Sequence, residues 1–206
     1  MPEFVAQPGP DWVIAEMPAG YRIRLEEIQR LAADLQEMGK FARLLCAVGP
    51  ELGEAVRDTF SVMKFEADLV QGPTLPLVVA RLDGGRRLLL IASGSTETVQ
   101  KKSPELTEVF HLLQDSTEAG DRAVLVTNVD PMTPPASRAS ALAPEALALL
   151  ARMGAVHLHG PTLFNLWKVS HQALDKAREQ VQQLHAGDAE TFEIPASLLR
   201  LSELRL

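Results

Sequence analysis

The sequence predicts an α/β fold in which a mixed β-sheet is flanked by helices and preceded by a helical N-terminal extension. Three observations lead there. Apolar residues recur at helical spacing from about residue 22 to 63. The period then shortens, and two apolar runs are joined by Asp83-Gly84-Gly85, too short for a crossover helix. Beyond that turn, helix and strand patterns alternate twice, the order of βαβ units with parallel strands.

In the extension, residues 1–20 are rich in Pro and Gly around Trp12-Val13-Ile14 and read as an arm with one short strand. From residue 22 to 46, Leu25, Ile28, Leu31, Leu35, Met38 and Leu45 keep the spacing of one buried helix face. Pro50 suits the first turn of a second helix, whose Leu52, Val56, Phe60 and Met63 share a side.

Phe65 to Val70 reads as a strand. Leu75 to Leu82 is the next, with Pro76 at its entry because proline cannot donate to a ladder. After Asp83-Gly84-Gly85, Arg86 to Ala92 is the second strand of an antiparallel hairpin. Ser103-Pro104 opens a helix to about Gln114, with Leu106, Val109, Phe110 and Leu113 on one face. Ala123 to Asn128 is apolar enough to be buried on both faces. A loop over Pro131 to Arg138 precedes a helix from Pro144 to Met153, which Gly154 stops. Ala155 to His159 is a short strand, Thr162 to His185 one long helix, Thr191 to Ile194 an edge strand, and Leu198 to Leu206 an amphipathic tail.

Composition excludes several classes. Hydrophobic residues at 46% and charged residues at 23% suit a globular chain and exclude a disordered one. The net charge of −7 opposes a nucleic-acid binder, whose footprint is basic. The one cysteine, Cys46, excludes an intramolecular disulfide, points to a reducing compartment, and reads as a small buried hydrophobe. No apolar run reaches the ~20 residues of a membrane helix, and Met1 to Pro10 has no basic stretch typical of a signal peptide. A cytoplasmic protein without a membrane partner is expected.

Three segments, taken in order, resemble a known family. Leu44 to Val56 is similar to a Gly-broken apolar helix entry. Val124-Leu125-Val126-Thr127-Asn128 followed by Pro134-Pro135-Ala136-Ser137-Arg138 is similar to an "LIxN … PPxxR" segment. Ala155 to Phe164 is similar to a last strand with an "LT…LF" helix start. Together, over roughly residues 42–187, they resemble bacterial members of the PD-(D/E)XK superfamily, whose fold is restriction-endonuclease-like. The resemblance implies an N-terminal arm and helix over 1–40, a restriction-endonuclease-like domain over 41–195, and a C-terminal tail over 196–206.

In that superfamily an acid on the first hairpin strand and an acid-x-Lys triplet on the second hold Mg²⁺ and position water. Aligned on Gly94-Ser95, the acid position is Ile91 and the lysine position is Ser93; Leu77 to Leu82 holds no carboxylate. The resemblance therefore implies a degenerate nuclease with no metal and no cofactor, acting as a protein-interaction or scaffold module in a bacterial cytoplasm. Its candidate binding residues are Trp12, Trp167 and Arg138, with Phe164 reading as core; a homo-oligomer is left open. The alternatives are a nuclease with relocated Mg²⁺ ligands at Glu66 and Asp68 beside Lys102, and a non-cleaving nucleic-acid-binding module.

Other constellations are weaker. His157 and His159 share a strand face, but no nearby Cys or His-Glu spacing completes a zinc set. Asn128-Val129-Asp130 lacks the Gly-rich Lys-Ser/Thr loop of a nucleotide site. Ser93 and Ser95 lie outside any G-x-S-x-G elbow. Arg138, following Pro134-Pro135, reads as a loop anchor as well as a ligand group.

Overall fold

The computed structural model describes residues 16–72, 74–115, 118 and 120–203. Trp12 and the expected N-terminal strand lie outside them. The chain divides into two compact units, Met1–Lys40 and Phe41–Leu206.

The first unit contributes α1, Ala19–Lys40. Its apolar positions were expected to be a buried face. Instead Ile23, Ile28, Leu31, Leu35 and Met38 are exposed, Leu35 at 69%. Helical periodicity reports amphipathicity; it does not report what covers the apolar face. The helix also ends at Lys40 rather than running to residue 46.

The second unit begins with one turn, α2 (Arg43–Cys46), and then α3 (Gly49–Val62). Cys46 is exposed at the end of α2, contrary to the buried expectation, with its Sγ donating to Ala42 O at 3.4 Å. Pro sits in the first turn of α3, and Leu52, Val56, Phe60 and Met63 are fully buried along one side, as their spacing demands.

Five strands follow, β1 (Glu66–Gln71), β2 (Pro76–Arg81), β3 (Arg87–Ala92), β4 (Asp121–Thr127) and β5 (Val156–His159). They form one sheet in sequence order, β1-β2-β3-β4-β5. The β1–β2 and β2–β3 pairs are antiparallel, and β3–β4 and β4–β5 are parallel. Asp83–Gly85 makes the hairpin turn, with Gly84 at φ 81° and Gly85 at φ 77°, values that favour glycine. Both hairpin strands lie inside the sheet.

Alternation splits the sheet into two cores. Val78, Ala80, Leu88, Leu90, Val124, Val126, Val156 and Leu158 pack with α3 and with α6 (Gly160–Gln172) and α7 (Leu174–Ala186). Leu89, Ile91, Ala123 and Leu125 face α4 (Pro104–Asp115) and α5 (Pro144–Arg152). The fold is therefore α/β, a five-stranded mixed sheet with helices on both faces.

Two further expectations need correction, and the C-terminal segment takes a definite form. The single helix from Thr162 is two, broken at Ala173, whose φ −149° and ψ 73° leave the helical region. Residues 191–194 form an isolated bridge, Thr191 to His157, rather than a strand. The C-terminal tail is α8, Ala196–Glu203. At the β5–α6 junction, a Cβ on Gly160 would lie 2.3 Å from Leu44 O, so only glycine lets α2 approach.

Candidate functional site

The hairpin is the first place to look. Ile91 and Ser93 are two apart, and both point toward α4. Ile91 is 1% exposed in the apolar cluster under that helix, and Leu77 pairs opposite it on β2. Ser93 is fully buried. Its Oγ donates to Glu105 Oε1 at 3.0 Å and accepts Ser95 N–H at 3.1 Å. Its backbone carbonyl accepts Gly49 N–H at 2.8 Å, tying the end of β3 to the start of α3. Both positions are packed into the fold.

Beside them a cavity of about 210 Å³ lies between the β1–β2 turn and α4, with Leu77, Ile91 and Leu112 as apolar wall and Glu108, His111 and Asp115 on the helix side. Glu108 accepts from Thr74 Oγ1 at 2.7 Å and from Thr74 N–H at 3.4 Å. The sequence reading missed Glu105 and Glu108. It put Phe110 on the buried face of α4, whereas Phe110 is exposed and the two glutamates are buried. Their partners, Ser93 and Thr74, lie on other elements, so periodicity along α4 holds no trace of them.

Glu66 and Asp68 do converge, on the Arg81 guanidinium, at 2.6 and 2.9 Å. All three are exposed side chains, and Lys102 lies in the turn before α4, with no ion pair to them among the described residues. Among the described residues, no group of three or more His, Cys, Asp or Glu is placed to hold a metal ion.

Trp167 is not a surface anchor. It is 5% exposed and stacks on Phe41, ring centroids 4.7 Å apart, with Phe164 at 5.2 Å and His171 edge-on at 4.8 Å. An indole on the inner side of α6 serves the core between that helix and α2.

Arg138 is an anchor. Its Nε donates to Thr133 O at 2.8 Å, Nη1 to Asn128 Oδ1 at 2.5 Å, and Nη2 to Leu45 O at 2.5 Å and Pro131 O at 3.4 Å. Asn128 in turn donates to Ala47 O at 2.9 Å. One guanidinium thus fastens the loop after β4 to the strand end and to α2.

That loop roofs a second cleft, about 330 Å³, at the carboxyl ends of β4 and β5, lined by Thr127, Asn128, Arg138, Ser140, His159 and Thr162 among others. His159 lines it, and the ring of His157 lies edge-on behind His159. His157 is 2% exposed, bonded through Nε2 to Thr127 Oγ1 at 2.8 Å, and its ring lies 4.3 Å from that of His159. Burial, with His159 adding repulsion, pushes the His157 pKa down to about 3, so its imidazole is neutral. Burial lowers His159 as well; Glu193 opposes that shift and Arg138 adds to it. Of the cleft residues, the sequence singles out His159, Asn128 and Arg138, but gives no site role to Thr127 or Thr162. A cleft outside the carboxyl ends of parallel strands is where open α/β sheets bind ligands.

Comparison of this chain with protein-family models, with curated proteins and with solved structures returned no match.

Proposed function

We propose that this chain is a protein-interaction module without nuclease chemistry, and that α1 is its interaction element, pairing with α1 of a second copy. The observation that carries the reading is the exposed apolar stripe of α1. Tyr21, Ile28 and Leu35 fall seven apart; three residues after each stand Arg24, Leu31 and Met38, so the seam is apolar at five of its six positions. Alternating steps of three and four are the spacing of a helix-pairing seam, so the surface this stripe fits is another amphipathic helix.

A second copy supplies one. In an antiparallel pair, Ile28 of each copy packs over Leu31 of the other, Tyr21 over Met38, and Leu35 over the aliphatic stem of Arg24. Leu25 and Ala32 close one flank. Along the other flank Arg30 stands three residues after Glu27 and four before Asp34, so each acidic group has a cation within one helical turn.

The hairpin supports the negative half of the reading. In the superfamily that the sequence resembles, the acid and lysine of the second hairpin strand reach metal and water. Here those positions are Ile91 and Ser93, one in apolar packing and the other bonded to Glu105. The residue facing Ile91 across the hairpin is Leu77, which offers no carboxylate.

The test joins two measurements on the full chain. Sedimentation of the native protein and of Leu31→Glu/Leu35→Glu should give a dimer and a monomer, both folded. Incubation with plasmid DNA and RNA in Mg²⁺ or Mn²⁺ should give no cleavage. Metal-dependent cleavage abolished by Glu66→Ala or Asp68→Ala would replace this reading with the relocated nuclease.

A further inference from the structure

The cleft at the ends of β4 and β5 has a charge imbalance that the interaction reading leaves unused. Arg138 forms part of its wall, and every acceptor on that guanidinium is a neutral carbonyl or amide oxygen. Among the described residues no carboxylate lies within ion-pair distance of it. Cys46 and Asp130 raise its pKa from further away, and Asp130 accepts Ala139 N–H instead. A guanidinium carries five N–H donors. The four bonds to it account for one at Nε, one at Nη1 and two at Nη2, leaving one Nη1 hydrogen without an acceptor among the described residues. Burial lowers the Arg138 pKa, and Cys46 and Asp130 offset only part of that loss of water.

The other polar groups at the cleft add donors, and no carboxylate lines it. Thr162, in the first turn of α6, presents a hydroxyl with no partner among the described residues. His159 precedes α6, makes no side-chain capping bond, and as a neutral imidazole offers one ring N–H. The first turn of α6 adds the positive end of its dipole. Val129, Pro135, Ala141 and Pro161 supply apolar wall. The volume sits at the small end of the range for ligand sites, about 300–1,000 Å³.

We propose that this cleft binds a small organic oxyanion, a carboxylate or phosphate carried on a compact apolar body, with Arg138 supplying the counter-charge and Thr162 and His159 donating to the anion. The proposal is independent of how α1 acts. It commits to an anion, since a cation would face Arg138 with no carboxylate to receive it.

The experiment is a two-dimensional NMR titration of the full chain at constant ionic strength, set with sodium chloride. Inorganic phosphate and acetate are the probes, and choline chloride is the cationic control. Saturable shifts at the Thr162 and Leu163 amides and at the His159 ring are expected with at least one oxyanion and not with choline. The probe that saturates identifies the headgroup class. Thr162→Val keeps the side-chain shape and removes the hydroxyl, and should weaken the dissociation constant about tenfold, the worth of one charge-assisted hydrogen bond. Arg138→Lys keeps a charge but loses the fork and should weaken it further. Because that change also loosens the loop, Thr162→Val is the variant on which the claim stands. Absence of saturable shifts with either oxyanion, equal shifts with choline, or undiminished binding in Thr162→Val would overturn the proposal.

Discussion

Restoring an acid at the hairpin tests whether this face still belongs to a metal site. Ile91→Glu places a carboxyl where the native side chain is 1% exposed, against Leu112 and opposite Leu77. The titratable residues lining that cavity are Glu108, His111 and Asp115, two of them acids, so no lysine or arginine lines it to receive the carboxylate. The ionised form is disfavoured and the residue protonates on folding. Bringing a carboxyl from its ordinary pKa near 4.3 to neutrality at pH 7 costs about 4 kcal/mol, and the lost apolar burial adds about 2. For a chain of this size each kcal/mol is worth roughly 2–4 °C, so Tm should fall by about 12–24 °C. The sign with pH follows. The variant's folded-state pKa is raised, so the charge penalty is absent below about pH 4 and grows as pH rises toward 7. Ile91→Gln separates the terms, losing apolar burial without any pH dependence. Thermal unfolding at pH 4 and pH 8, alongside a cleavage assay with Mg²⁺ and Mn²⁺ on Ile91→Glu/Ser93→Lys, completes the test. A Tm equal to native at both pH values, or cleavage by the double variant, would refute the reasoning.

Three further outcomes follow. His157 is neutral when folded, with a pKa of about 3 against 6.5 unfolded, so stability is full above pH 6.5 and declines as pH falls toward 3. The loss approaches 1.4 kcal/mol per pH unit from this group, or about 4–5 kcal/mol across the window; denaturant titrations of His157→Gln should show that slope reduced. Gly160→Ala would place a methyl 2.3 Å from Leu44 O and should cost about 2 kcal/mol or more by forcing α2 away from the β5–α6 junction, measured as a lower urea midpoint at unchanged slope. Asp121 accepts both arms of Arg87, at 2.9 and 2.7 Å, and those bonds hold its carboxyl below the usual range. The stability it contributes is present above its unfolded pKa and is lost on acidification, so Asp121→Asn should lower Tm at neutral pH and narrow the gap to native in acid.

What could be read from the sequence divides along local and non-local lines. The hairpin was legible because Asp83-Gly84-Gly85 sits between two strand-length apolar runs and supplies two residues at positive φ. The parallel half was legible because helix and strand periods alternate there. The break at Ala173 was not, since neither Gly nor Pro marks it and alanine is the best helix former. The exposure of α1 was invisible for a different reason: a buried face and a waiting face have the same spacing. The candidate site shows the same division. Ile91 and Ser93 could be named from sequence, and Arg138 could be suspected as an anchor. Glu105 and Thr162 could not, because their meaning depends on Ser93, twelve residues away, and on a cleft closed by a loop from another part of the chain.

The claim that α1 is the working surface is tested most directly by the mass of the intact protein in solution. Sedimentation equilibrium of the native chain, run up to about 100 μM, detects self-association with a micromolar or tighter dissociation constant. The account predicts twice the chain mass, returning to the monomer in Leu31→Glu/Leu35→Glu with unchanged far-ultraviolet circular dichroism. A native chain that stays monomeric throughout, or a double variant that still dimerises, would contradict it.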